Sequence, residues 1–209
     1  MMKNYLIALF ALCSVSCFAQ DDMPDTRKKN EGFAKIVEKD IRADIATFNF
    51  AGVDEAVGKD PIRKISFKSR GTDYMVFDGD GIKATVKTAP FDQSKHKLDF
   101  DEKYLTKIDR KTYYGSYPNI PKTYIKEITL TIGQDTVVIP PSAYADLYNP
   151  DLTYTDKSGL GRSANGIYIS KDGHKMYLYL FCKQSGYEVT FVIKDKIFVK
   201  RVLDYDFNL

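Results

Sequence analysis

The chain has 209 residues and a formal net charge of +3, a length that allows one core burying roughly 70% of the unfolded chain's surface. Its 31 basic and 28 acidic residues are mixed along the sequence, which excludes the one-sided basic footprint of a nucleic-acid binder. Cys13 and Cys17 fall in the N-terminal segment and leave Cys182 alone, so no disulfide framework is expected.

Met1 to Ala19 reads as an export signal. Lys3 supplies a positive n-region, Tyr5 to Val15 an apolar h-region, and Ala19 the small residue at the cut. The apolar run is too short to be kept as a spanning helix. Residues 20–30, polar and containing Pro24, follow as a flexible arm, and residues 31–209 as a single β-rich domain with an N-terminal helix. The expected destination is periplasmic or extracellular. Cys17 after Ser14-Val15-Ser16 loosely resembles the lipobox of bacterial lipoproteins, with Ser14 where that motif usually has leucine. Cleavage before Cys17 would give a lipid-anchored protein, and only that route leads to a membrane.

Phe33, Ile36, Val37, Ile41, Ile45 and Phe48 recur at helical spacing, with Asn30 available as N-cap and Glu38 four residues before Arg42. This predicts one amphipathic helix, ended at the latest by Gly52 or Pro61. From Ile62 the period becomes two. Runs around Ile65 and Phe67, Tyr74 to Phe77 and Ile82 to Lys87 predict strands, the last two joined as a hairpin by Asp78-Gly79-Asp80-Gly81. After a polar stretch, Tyr124, Ile128, Leu130 and Ile132 alternate with Glu127, Thr129 and Thr131, a strand with one wet face. Thr136 to Ile139 follows, ended by Pro140-Pro141.

Gly166 to Ser170, Met176 to Cys182, Tyr187 to Ile193 and Ile197 to Leu203, separated by short polar turns, read as a four-strand meander. Met176, Leu178, Leu180 and Cys182 share one side and Tyr177, Tyr179 and Phe181 the other, so that strand belongs in the centre of a sheet. Tyr187, Val189, Phe191 and Ile193 oppose Glu188, Thr190 and Lys194, as in a half-exposed strand. The fold class is therefore mainly β: an antiparallel sandwich rather than a barrel, with the helix packed on it.

The inventory for chemistry is thin. His96 lies between two lysines and His174 in a turn, with no second ligand at metal spacing. Gly161-Arg162-Ser163-Ala164-Asn165-Gly166 departs from a nucleophile elbow by one position, and Ser94 and Lys97 match a serine–lysine motif by spacing alone. Asp78 and Asp80 suit a hairpin turn better than a calcium loop, while Asp151, Thr153, Thr155 and Asp156 form a second oxygen-rich loop. Asp204 and Asp206 would share one side of the last strand and so could pair for acid–base work. No catalytic set, metal or cofactor is expected.

The stretch from Arg110 to Pro121 stands out. Tyr113, Tyr114 and Tyr117 could offer flat apolar faces with polar rims, Arg110 adds a cation, and Asn119 adds a two-way hydrogen-bonder. The competing expectation is that these rings cap the core. The sequence thus points to an exported, non-catalytic binding or interaction module of the bacterial envelope, its partner a glycan, a peptide or an envelope protein. A carboxylate-dependent hydrolase and a purely structural envelope protein are the alternatives.

Overall fold

The computed structural model describes Asp25, Arg27 and residues 30–206. The expected export signal, its cleavage after Ala19, and Cys17 lie outside the described residues.

The first ten strands are β1 (Arg63–Ile65), β2 (Phe67–Arg70), β3 (Tyr74–Gly79), β4 (Ile82–Pro90), β5 (Leu98–Asp101), β6 (Tyr104–Ile108), β7 (Thr123–Ile132), β8 (Asp135–Thr136), β9 (Tyr154–Thr155) and β10 (Gly161–Arg162). β11 (Gly166–Ile169), β12 (Lys175–Cys182), β13 (Tyr187–Lys194) and β14 (Ile197–Tyr205) form the C-terminal meander. Two five-stranded antiparallel sheets result, ordered β1-β11-β12-β13-β14 and β2-β3-β4-β7-β8, with the small ribbons β5-β6 and β9-β10 beside them.

The sheets face each other across one core. Met75, Phe77, Ala84, Val86 and Leu130 from the second sheet meet Ile167, Leu178, Leu180, Val189 and Phe191 from the first, all essentially without exposed surface. Each such large apolar side chain contributes about 1.5–3 kcal/mol by leaving water. β12 occupies the middle of its sheet, as its two apolar faces require. Met176, Leu178, Leu180 and Cys182 point into the sandwich, while Tyr177 and Tyr179 point outward under the N-terminal segment. The turn at Asp80-Gly81 has positive φ at both residues (54° and 72°), the geometry of a two-residue hairpin connection. Asp78 pairs with Lys68 and Asp80 with Arg63, so both carboxylates of that turn are engaged.

The N-terminal layer departs from the expected continuous helix. A short 3-10 turn (Phe33–Lys35) is followed by extended backbone at Ile36 and Glu38, then by α1 (Lys39–Ala46) and a second 3-10 segment (Phe50–Ala56). Val37 is left outside and Arg42 pairs with Glu55 rather than with Glu38. The cause is tertiary. Leu203 N donates to Glu31 O and Phe33 N donates to the Asp204 carboxylate at 2.8 Å. Those bonds tie the segment to the edge strand β14 before a helix can start. No helix among the described residues is long and apolar enough to cross a membrane.

That layer also overturns the half-exposed reading of β13. Glu188 and Thr190 have no exposed surface, and Phe50 and Ala51 lie across Glu188. The Glu188 carboxylate accepts from Phe50 N (3.0 Å), Ala51 N (2.8 Å) and Tyr179 Oη (2.5 Å). Burial outweighs these three donors and pushes its pKa up to about 7, with Asp204 on the adjacent strand adding to the shift. Lys175 is buried as well, and its ammonium meets Asp40 at 3.1 Å and Asp44 at 3.4 Å on α1.

Candidate functional site

The segment between β6 and β7 folds back on itself from the start. Asp109 and Arg110 both take positive φ and Lys111 bridges to Ile108, which closes a tight turn. Further along, Tyr114 N donates to Asp146 O, Tyr148 N donates to Tyr114 O, and Leu105 N donates to Pro118 O. Gly115 sits at φ 106°, where a Cβ would lie 1.9 Å from the Tyr148 carbonyl oxygen, so only glycine lets these two strands of loop touch. Asn149 staples the arrangement: its Oδ1 accepts from Lys122 N and Thr123 N, and its Nδ2 donates to Ser116 Oγ.

This folding distributes the five residues singled out above. Tyr113 is 1% exposed, and its hydroxyl donates to the carbonyls of Asn119 (2.9 Å) and Leu105 (3.2 Å). Tyr114 is 6% exposed, its ring 5.2 Å from that of Tyr205. Their pKa values are raised by burial, so both phenols stay protonated. Tyr117 is half-buried with the Arg27 guanidinium 4.1 Å over its ring. Arg110 and Asn119 are exposed. The rings therefore do not form one open aromatic surface. Tyr113 packs with Leu105, Ile108 and Tyr148 in a small core of its own, because the β5-β6 ribbon supplies an apolar side against which the loop collapses.

Only the Lys111-Thr112-Tyr113 part of the segment borders a cleft, and that cleft, of about 600 Å³, is the candidate site. One wall is Phe91 and His96 with the end of β6 at Ile108 and Asp109; the other is the loop from Pro141 to Tyr148; Tyr124, Ile125 and Lys126 of β7 form the floor. Phe91 and Tyr124 are half-buried, which leaves part of each ring at the surface. His96 stacks on Phe91 at 4.6 Å and its Nδ1 lies 2.7 Å from Asp109 Oδ2. That contact, with a hydrogen bond from Lys97 N, holds the Asp109 carboxyl below its usual range. Across the cleft the Asp146 carboxylate takes a bidentate pair from Arg201 (2.5 and 2.8 Å). Arg201 also donates to Ala143 O at 3.1 Å and so fixes that wall to β14.

Two lysines on the rim are differently placed. Among the described residues neither Lys111 nor Lys126 forms an ion pair, and both are exposed. The hydroxyls of Tyr124, Tyr144 and Tyr148 likewise make no hydrogen bond among the described residues, although all three rings line the cleft. Burial pushes the Tyr148 phenol up to about 12, with Asp109 and Asp146 adding to the shift, so it is a donor at any ordinary pH.

The other motifs resolve into local structure. Ser163 Oγ donates to Leu152 O, and Asn165 bridges Asp151 O and Leu152 O to Phe181 N, which makes this stretch a pinned turn. Asp92 caps a short turn by accepting from Ser94 N and Ser94 Oγ, and Lys97 pairs with Asp99. Asp156 is used by Ser158, Leu160 N and Arg162. Asp206 falls beyond the end of β14 at φ 68°, so the alternation that would align it with Asp204 stops one residue earlier. His174 pairs with Asp195 on the far hairpins, apart from His96. Among the described residues no group of three His, Cys, Asp or Glu is placed to hold a metal ion. A second cleft of about 610 Å³ is lined by Arg70 and five threonines, and Asp151 is its single carboxylate. Burial raises the pKa of Asp151 although Gln184 N and Ser185 N donate to it.

Sequence motifs do not mark Phe91, Tyr144, Tyr148 or Lys126 as site residues. The available signal was compositional: Tyr144 and Tyr148 lie between Pro141 and Pro150, a clustering of rings beside prolines like that of Tyr113, Tyr114 and Tyr117 before Pro118 and Pro121. Comparison with protein-family models, with curated proteins and with solved structures finds no match to this chain.

Proposed function

We propose that this chain is an exported, non-catalytic binding module of the bacterial envelope, and that its ligand lies in the cleft between the end of the β5-β6 ribbon and the 141–148 loop. The observation that carries this reading is the lining: part-exposed rings, free phenolic hydroxyls and unpaired ammonium groups converge there on walls held by Arg201 and Asn149. Rigid walls reduce the ordering cost of binding. The hydrolase alternative has less support, since Glu188, the carboxyl raised to near neutrality, has no exposed surface and Asp151 lacks a carboxylate partner along its cleft.

The test is a calorimetric screen of glycans and peptides against the wild type and two filling variants, with melting temperature followed beside it. Ser142→Trp fills the cleft from an exposed wall position and should weaken binding at least tenfold while leaving the melting temperature within a few degrees. Thr155→Trp, in the threonine cleft, should leave binding unchanged. The reverse pattern would move the site to the threonine cleft.

A further inference from the structure

We infer that the ligand of this cleft is an acidic saccharide, one whose sugar ring lies against the aromatic lining while its carboxylate meets Lys111 and Lys126. The inference rests on the binding reading above and goes further by naming the ligand chemistry. Its first support is charge. Both carboxylates in the cleft are already engaged, Asp109 by His96 and Lys97 N, Asp146 by Arg201. The two rim lysines form no ion pair among the described residues, although Lys111 acts at longer range on Asp109 and Lys126 on Glu127, so they are the cleft cations without a direct partner and an anion is favoured beside them.

The second support separates a sugar from a peptide. A peptide that binds by adding a strand needs an open strand edge, and β7 has none at this floor. On one side it pairs with β4, and on the other Ile125 N donates to Leu147 O while Asn149 N donates to Thr123 O. Recognition here must come from side chains, and those available are the half-buried rings of Phe91 and Tyr124, with the hydroxyl of Tyr124 and those of the more deeply set Tyr144 and Tyr148 free of hydrogen bonds among the described residues. Those groups suit a ring with one apolar face and a rim of hydroxyls.

The experiment measures binding of uronate-containing oligosaccharides in two linkage types, of their carboxyl-reduced neutral counterparts, and of an oligoglutamate of equal charge. Wild-type protein should bind at least one uronate and bind its reduced form at least tenfold more weakly. Lys111→Gln with Lys126→Gln should abolish that preference, and Tyr124→Ala should weaken both forms. Equal binding of acidic and neutral sugars, lost in Ser142→Trp, would overturn the inference and leave the cleft as the site. Oligoglutamate binding as tight as uronate binding would overturn the saccharide assignment. No binding to any uronate would overturn the inference, and no binding to any member of the wider glycan and peptide panel would overturn the reading beneath it too.

Discussion

Glu188 makes stability depend on pH in an unusual direction. Its carboxyl titrates near 4.5 in the unfolded chain and near 7 in the folded one, so the folded state holds the proton more tightly. Stability from this group is fully present below pH 4.5 and is lost as pH rises toward 7. The loss is 2.5 pKa units, or about 3 kcal/mol, a large fraction of the 5–15 kcal/mol typical of a domain. No exposed surface screens it. The perturbation is Glu188→Gln, which keeps the shape, can still accept from Ala51 N, and can donate to Tyr179 Oη. It leaves Phe50 N facing an amide, a mismatch worth about 1 kcal/mol at every pH. Urea unfolding from pH 4.5 to 8 reads both effects. The wild type should lose about 3 kcal/mol more across that range than the variant, so the curves converge or cross near neutrality. Parallel curves would refute the reasoning, because they would mean that Glu188 titrates alike in both states.

Three further outcomes follow from the packing. Tyr113→Ala should cost about 3–5 kcal/mol, since it empties a site that is 1% exposed and frees the buried Leu105 carbonyl as well as that of Asn119; a loss under about 1 kcal/mol by urea unfolding would return this ring to the surface. Cys182, fully buried with its thiol pushed up to about 12 by that burial, should resist a water-soluble thiol reagent until the protein unfolds; labelling at the rate of a free thiol would contradict it. Arg201→Met should cost about 3–5 kcal/mol by stranding the Asp146 carboxylate, and amide exchange should quicken in the 141–148 loop; unchanged exchange there would show that Arg201 does not hold that wall.

The sandwich was legible because its strands announce their faces. Alternation in Met176 to Cys182 reports burial on both sides, and the positive-φ residues Asp80 and Gly81 sit where the turn composition places them. Sequence periodicity describes a strand against its own sheet but not what lies across that sheet. Glu188 therefore reads as wet, although a segment some 140 residues earlier covers it. The same limit applies at the N-terminus, where helical spacing from Phe33 to Phe48 is real but a backbone bond from Leu203 decides where the helix begins. The β5-β6 ribbon was concealed for a different reason. Leu98 to Asp101 and Tyr104 to Ile108 are short, are interrupted by Asp99, Asp101 and Lys107, leave Phe100 outside, and pair across a turn with Glu102 at φ 50°, so their alternation does not stand out from a loop. Yet the end of this ribbon reaches the cleft at Ile108, next to Asp109 and Lys111.

Arg201 ties the parts together in a way that no single stretch of sequence shows. From the edge strand β14 its guanidinium meets Glu31 of the N-terminal layer at 2.5 Å, Asp146 of the cleft wall, and the Ala143 carbonyl. Those ion pairs raise its pKa against the opposing effect of burial, so it stays charged under all ordinary conditions. Arg27, just upstream of that layer, rests on Tyr117 and Tyr205. The N-terminal segment is thus joined to both ends of the loop system around the cleft. Displacing it would leave Arg201 with one carboxylate instead of two and would uncover the Tyr117 ring. The covering layer and the cleft wall are thus linked through the Arg201 guanidinium.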